Sequence, residues 1–343
     1  MSDLLPEPDF LDLIQPDRDE YIAANGSDAA IEYDQILIYL KDLFEQRKQS
    51  IADFSTYNLP QLPDGEADTI YERLQEAERL SASPRLLVDD YKKGTAKSYN
   101  DLWIKSTASP VVLTAEHATS QKRVNHISQK RELKDADFGT GGLVRLLHED
   151  TNNSAIISTG RQTKDPNNDM EHPLKKVLGE IIKNRQQSRA HISIHGSKRT
   201  RFARLTDSKN FGVMLGIGDE PTDDTLEASE RIVDIGKNYD LRVVINQDFV
   251  AMEAKPVMPK RKPYGSLKTI SYSARYPGTT RAFAQRTAAG LETLRPFVAI
   301  QFELSDVLRV MPTDYEIYPG DQSQRMGTYI GYLFIKEALN TLA

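Results

Sequence analysis

Residues 190–196 read AHISIHG, and this stretch decides the fold. As a strand, its period-two alternation sends Ile192 and Ile194 to one face and His191, Ser193 and His195 to the other. A strand that is apolar on one side and polar on the other must line a site or find hydrogen-bonding partners for its polar side. His195 is the better ligand candidate, because Gly196 beside it leaves the backbone open to close approach. His191, two residue pairs earlier, reads as a buried histidine hydrogen-bonded behind the site.

On either side of this strand the chain alternates. Short β-branched and aliphatic runs predict strands at residues 111–116, 154–159, 211–217, 241–246 and 298–304, with 190–195 among them. Helical periodicity is expected at 142–148, 173–185, 223–238, 280–294 and 326–342. Strand–helix alternation predicts an α/β three-layer sandwich with a largely parallel mixed sheet over residues 106–343. Ligands of such sheets bind outside the carboxyl ends of the strands. Residues 1–105 read differently, as a mostly helical N-terminal extension. Residues 29–50 (AAIEYDQILIYLKDLFEQRKQS) and 67–80 are amphipathic candidates separated by the breaker-rich FSTYNLPQLPDGEAD. LWIKS, from Leu102, is either an edge strand or the lead-in to the larger domain.

Composition narrows the chemistry. With 343 residues, 39% apolar and 27% charged, the chain is long enough for a large core, and its net charge of -6 gives no global nucleic-acid footprint. Cysteine is absent, which excludes disulfides, thiolate metal sites and a cysteine nucleophile. Any metal must therefore use the six histidines together with Asp and Glu, a donor set suited to hydrolytic zinc. The acidic start MSDLLPEPDF has neither a basic nor an apolar leader region, and no stretch approaches the roughly 20 apolar residues of a membrane span. A cytoplasmic protein without a membrane partner is expected. Lys255, Lys260, Arg261, Lys262 and Lys268 form the one concentrated basic run; it reads as a solvated loop, so nucleic acid is not the expected partner.

Three further positions carry candidate chemistry. His117, in VVLTAEHAT, lies where a strand empties into a loop; alone it would read as an exposed loop histidine. Glu303, in VAIQFEL, shares a face with Gln301 and is placed to act as a general base, the alternative being a glutamate paired with an arginine at a sheet edge. A carboxylate ligand is sought in ELKDADFGTGG, where Asp135 and Asp137 also suit an acidic helix start. Glu116 is a weaker rival, since it and His117 point to opposite faces of an extended segment. Arg161 and Arg281 each follow a glycine closely, and a guanidinium fork is the natural partner of a substrate carboxylate.

Taken in order, TAEHAT, KDADFGTGGLVRLL, GRQTKDPNND, SIHGS, PGTTR and IQFEL resemble the N-formylglutamate amidohydrolase family across roughly residues 109–310. The resemblance implies a zinc carboxypeptidase and aspartoacylase-like fold that hydrolyses an amide bond of a small acidic substrate. It further implies zinc on His117, Asp137 and His195, proton transfer by Glu303, and a substrate pocket with Arg161, Asp165, Asn167 and Arg281. Three positions depart from the family pattern. Asn168 stands in place of an arginine, Ser193 in place of an aspartate two before the histidine, and Glu116 in place of a proline. The lost arginine removes a charge-assisted contact of about 1.5–3 kcal/mol. Two alternatives stand beside this reading: a carboxypeptidase or γ-glutamyl-type metallopeptidase, and a non-catalytic descendant that binds a peptide or metabolite, motivated by Ser193 and Asn168.

Overall fold

A computed structural model describes residues 64–82, 102–119, 121–124, 131–134, 137–159, 165–167, 171–184, 187–197, 212–218, 221–245, 284, 287, 297–310 and 322–342. In chain order the elements are α1 (Asp64–Ala82), β1 (Leu102–Lys105), β2 (Val111–Ala115), β3 (Gln121–Val124), β4 (Arg131–Lys134), α2 (Thr140–Thr151), β5 (Ser154–Ser158) and α3 (Pro173–Asn184). They continue with β6 (Ala190–Ser197), β7 (Gly212–Gly216), α4 (Asp223–Asn238), β8 (Arg242–Ile245), β9 (Val298–Ser305), a single 3-10 turn (Asp306–Leu308) and α5 (Gln322–Asn340).

Seven strands form one mixed sheet in the order β1-β5-β2-β6-β9-β7-β8. The central four, β5, β2, β6 and β9, run parallel, as do β7 and β8 to each other, while β1 is antiparallel to β5 and β7 is antiparallel to β9. The chain leaves β2 for β5 through α2, then crosses back over β2 to β6 through α3. Right-handed crossovers that run in opposite directions put their helices on opposite faces, and the two cores follow. On one face Leu113, Ile157, Ile192 and Phe302 pack with α1, α2, α4 and α5. On the other, Val112, Ile156 and Ala299 pack with Leu174, Leu178, Ile181 and Ile182 of α3. This is the three-layer α/β architecture expected from the alternation, and each fully buried aliphatic or aromatic side chain contributes roughly 1.5–3 kcal/mol to it.

LWIKS is an edge strand. Helix α1, assigned by the sequence to the extension, puts Ala67, Tyr71 and Leu74 into the same core as the sheet. It is tied to α2 by Arg73–Asp150 at 2.6 Å, and to α5 by Gln324 donating to the Tyr71 hydroxyl at 2.6 Å and by Arg325–Asp68 at 2.7 Å. The hairpin β3–β4 was not foreseen, because QKRV and RELK show no apolar alternation and pair through the backbone ladder. The expected helix at 29–50 and the basic run at 254–268 lie outside the described residues, as does the helix expected at 280–294 except Ala284 and Thr287, both helical.

Candidate metal centre

The polar face of β6 lies on the α3 side, and register fixes its neighbours. Val112, His191 and Ala299 share one row, Thr114, Ser193 and Gln301 the next, and His195 and Glu303 the one after. The rows become more polar toward the carboxyl ends of β2, β6 and β9, which lie side by side at the centre of the sheet. Beyond β2 the chain turns at Glu116 and His117. Glu116 continues the site face of Thr114, while the turn swings His117 round to meet His195, ring centroids 4.7 Å apart and nearly perpendicular.

Asp137 completes the group. Its N–H donates to the His117 carbonyl at 2.6 Å, which holds the two residues together although the β3–β4 segment separates them in sequence. Asp137 Oδ2 stands 3.4 Å from His117 Nδ1 and 3.1 Å from His195 Nδ1. One potential ligand atom from each of the three residues falls within a 4.8 Å span. Zinc–nitrogen and zinc–oxygen bonds of about 2.0–2.2 Å in tetrahedral geometry put ligand atoms roughly 3.3 Å apart; the two distances from Asp137 Oδ2 match that spacing, and the widest separation in the group would contract by about 1 Å around one small divalent ion. Both histidines are almost fully buried and Asp137 is half-buried.

Each ring is backed by a carboxylate. His117 Nε2 is 2.9 Å from Asp165 Oδ1, and His195 Nε2 is 3.3 Å from Glu116 Oε2, at ion-pair distance without hydrogen-bond alignment. At His117, Nε2–H directed at Asp165 leaves Nδ1 with its lone pair for a metal and raises the basicity of the ring; at His195 the Glu116 charge lies beside Nε2 and acts on the ring through space. Asp165 is fixed by accepting the Asn167 N–H at 2.9 Å, and the Asn167 carbonyl accepts from the buried Lys175 Nζ at 2.8 Å. Glu116 accepts from Ser193 Oγ at 2.9 Å on both oxygens and from Thr114 Oγ1 at 2.7 Å. His191 Nε2 meets Thr114 Oγ1 at 2.9 Å, the supporting place expected for that histidine.

The electrostatics favour a cation. Burial opposes an imidazolium at His195, but its contacts with Asp137 and Glu116 and the charges of Glu116 and Glu303 push its pKa up to about 10. Burial likewise pushes Glu116 up, and the His195 contact with the charges of His195 and His191 outweighs it, bringing Glu116 down to about 2. A negative field that holds a proton on a buried imidazole also suits a divalent ion whose charge replaces that proton.

Glu303 is the register partner of His195 and is buried; Gln301 Nε2 donates to its Oε1 at 2.5 Å. It stands on a central strand, and its hydrogen-bonding neighbour is Gln301, not an arginine at a sheet edge. Of the three carboxylates considered as the metal ligand, Asp137 joins the histidines, Glu116 stands behind His195, and Asp135 lies outside the described residues. So do Arg161, Asn168 and Arg281. Asn167 takes part through its backbone. Two residues that the sequence reading passed over also border the site: Glu78 of α1, whose signal was an acidic residue continuing the stripe Ala67, Tyr71, Leu74, and Arg309, whose guanidinium donates to the Phe138 carbonyl. No described helix is long and apolar enough to cross a membrane. No family model matches the chain, and comparisons with curated proteins and with solved structures return no match.

Proposed function

We propose that this chain is a zinc-dependent hydrolase that cleaves an amide bond of a small, acidic N-acyl amino acid or peptide-like substrate. The observation that carries the reading is the convergence of His117 Nδ1, His195 Nδ1 and Asp137 Oδ2, each imidazole backed by its own carboxylate. Three nitrogen and oxygen ligands with a place left open are the pattern of catalytic zinc sites, where structural sites close with four protein ligands. Bound zinc supplies Lewis acidity toward a carbonyl and lowers the pKa of water to about 7.

The chain's own residues do the rest. Glu303, beside His195 on the same face, takes the proton of the attacking water and delivers it to the leaving amine, and Gln301 holds one of its oxygens in place. Asp165 keeps the His117 ring in the tautomer that presents Nδ1, and the charge of Glu116 beside His195 Nε2 favours the same tautomer there. Arg161 and Arg281, which come from the family resemblance, are assigned to the substrate carboxylate.

The test is metal content and turnover of the full chain purified without chelators. Expected are one zinc per chain, loss of N-formyl- or N-acetyl-glutamate and -aspartate hydrolysis on stripping, and its return with added zinc. His195→Ala is expected to lose both. No zinc in the purified protein and no binding in a zinc titration would overturn the metal assignment. Zinc binding without hydrolysis of any N-acyl amino acid or dipeptide in a panel would favour the non-catalytic descendant.

A further inference from the structure

The turn that delivers Asp137 to the two histidines is held from outside the sheet. Gly139 is the N-cap residue of α2, with φ 84°, and as a glycine it has no side chain to cap the helix. Glu78 of α1 supplies the cap instead: Oε1 accepts the Gly139 N–H at 2.8 Å and Oε2 accepts the Gly142 N–H at 2.6 Å. The two helices are in backbone contact there, since a Cβ added to Gly142 would lie 2.6–2.8 Å from the Glu78 main chain. The neighbouring peptide groups are fixed too. The Asp137 N–H binds the His117 carbonyl, the Asp137 carbonyl accepts from Thr140 N–H and Oγ1, and the Phe138 carbonyl accepts from Arg309.

Glu78 is fully buried on the helix face that carries Ala67, Tyr71 and Leu74. A carboxylate on an apolar stripe is a poor choice for stability alone, because taking it out of water costs several kcal/mol that an aliphatic side chain would not lose. The cost is offset only where both oxygens are used, and here both receive N–H groups from the turn that begins at Asp137. We infer that α1 is a built-in part of the metal centre and that Glu78 is a positioning residue which fixes Asp137 in its ligating place. This rests on the metal reading proposed above.

The test measures zinc affinity by competition with a chromophoric chelator in the full-length chain. Glu78→Gln keeps the size but leaves one acceptor for two N–H groups, and is expected to weaken zinc binding about 10–100-fold, the range typical of lost supporting contacts around a metal. Arg73→Ala is the control. It cuts the α1–α2 ion pair with Asp150 at the far end of α2, and is expected to lower the melting temperature of the metal-free protein while zinc affinity stays within about threefold. If Glu78→Gln does not fold, Glu78→Asp, with its carboxylate drawn back by one methylene, is expected to weaken zinc at least several-fold. Wild-type affinity in a folded Glu78 variant, or an equal loss in Arg73→Ala, would overturn the inference and leave the metal reading standing. A wild-type chain that binds no zinc would instead overturn the metal reading itself.

Discussion

Replacing Glu303 by glutamine separates proton transfer from metal binding in one experiment. The side chain is buried, its volume is unchanged by the substitution, and the new amide can turn its oxygen to accept from Gln301, so the packing of β9 against β6 is retained. What disappears is a group able to take and return a proton. General acid–base catalysis by a positioned side chain supplies about 10²–10⁴ in rate. At about 1.4 kcal/mol per tenfold, that amounts to roughly 2.7–5.5 kcal/mol of transition-state stabilisation. The expected outcome is a kcat lowered by that factor with KM little changed, because Glu303 is assigned to the proton and not to the substrate carboxylate. Zinc content is expected to stay at one per chain, since the proposed ligand atoms belong to His117, Asp137 and His195. Steady-state amine release and metal analysis on the same preparation provide the readout. A kcat within about threefold of wild type on a zinc-loaded variant would refute the general-base role. Loss of the zinc along with the activity would show instead that Glu303 is a ligand.

Other perturbations probe the surroundings. Glu116→Gln replaces an acceptor-only group, ringed by Ser193, Thr114 and His195, with one that carries donors; it is expected to destabilise the fold by about 1–3 kcal/mol in urea titrations and to weaken zinc about 10–100-fold in chelator competition, and unchanged affinity would remove Glu116 from the site. Gly139→Ala puts a side chain at φ 84° with its Cβ 2.4 Å from the Val310 carbonyl oxygen and 2.9 Å from Arg309 Cβ; a loss of about 2–5 kcal/mol is expected, and a stable variant would mean that the α2 cap has another conformation open to it. Glu78 gives the fold a pH dependence. Burial raises its pKa from 4.5 to about 7 against the lowering effect of the Gly139 and Gly142 N–H groups and Arg309, so the folded state holds the proton more tightly. Its contribution to stability is therefore greatest below pH 4.5 and declines as pH rises to 7, by an amount on the order of 3 kcal/mol at most. Urea titrations of wild type and Glu78→Gln across that window are expected to show the decline in wild type alone. The opposite slope would mean that the hydrogen bonds outweigh burial.

The fold was legible wherever burial leaves a period. In AHISIHGS the alternation marks strand, face and polar end at once, and β6 forms over Ala190–Ser197. Its last residues, Gly196 and Ser197, have no apolar signal and are strand because Leu304 and Ser305 of β9 pair with them. The charged hairpin β3–β4 was invisible for the same reason, as its order comes from a backbone ladder that side-chain chemistry does not announce. In the site, His117 and His195 could be named from their strand ends. The choice among Asp135, Asp137 and Glu116 could not be made, since it turns on a backbone hydrogen bond from Asp137 to His117 and on the turn that separates His117 from the face of Glu116. Glu78 meets Gly139 across 61 positions of sequence, a contact that only the packing of α1 on α2 creates.

Two of the three positions that differ from the resembled pattern, Ser193 and Glu116, are hydrogen-bonded to each other. A carboxylate two positions before His195 on the same strand would share its face, and Ser193 occupies that position. In the adjacent strand's row, Glu116 reaches across from the end of β2, accepts the Ser193 hydroxyl on both oxygens and meets His195 Nε2. The negative charge beside the His195 imidazole thus comes from the end of β2, and the Ser193 hydroxyl donates to it. Had the site simply lost its aspartate, a buried histidine would face a gap lined with unpaired donors, at a cost of about 1–3 kcal/mol for each. On the hydrolase reading proposed above, Ser193 supports the site by holding Glu116 beside His195, so of the two positions that motivate the proposed non-catalytic alternative Asn168 is the one left to carry it.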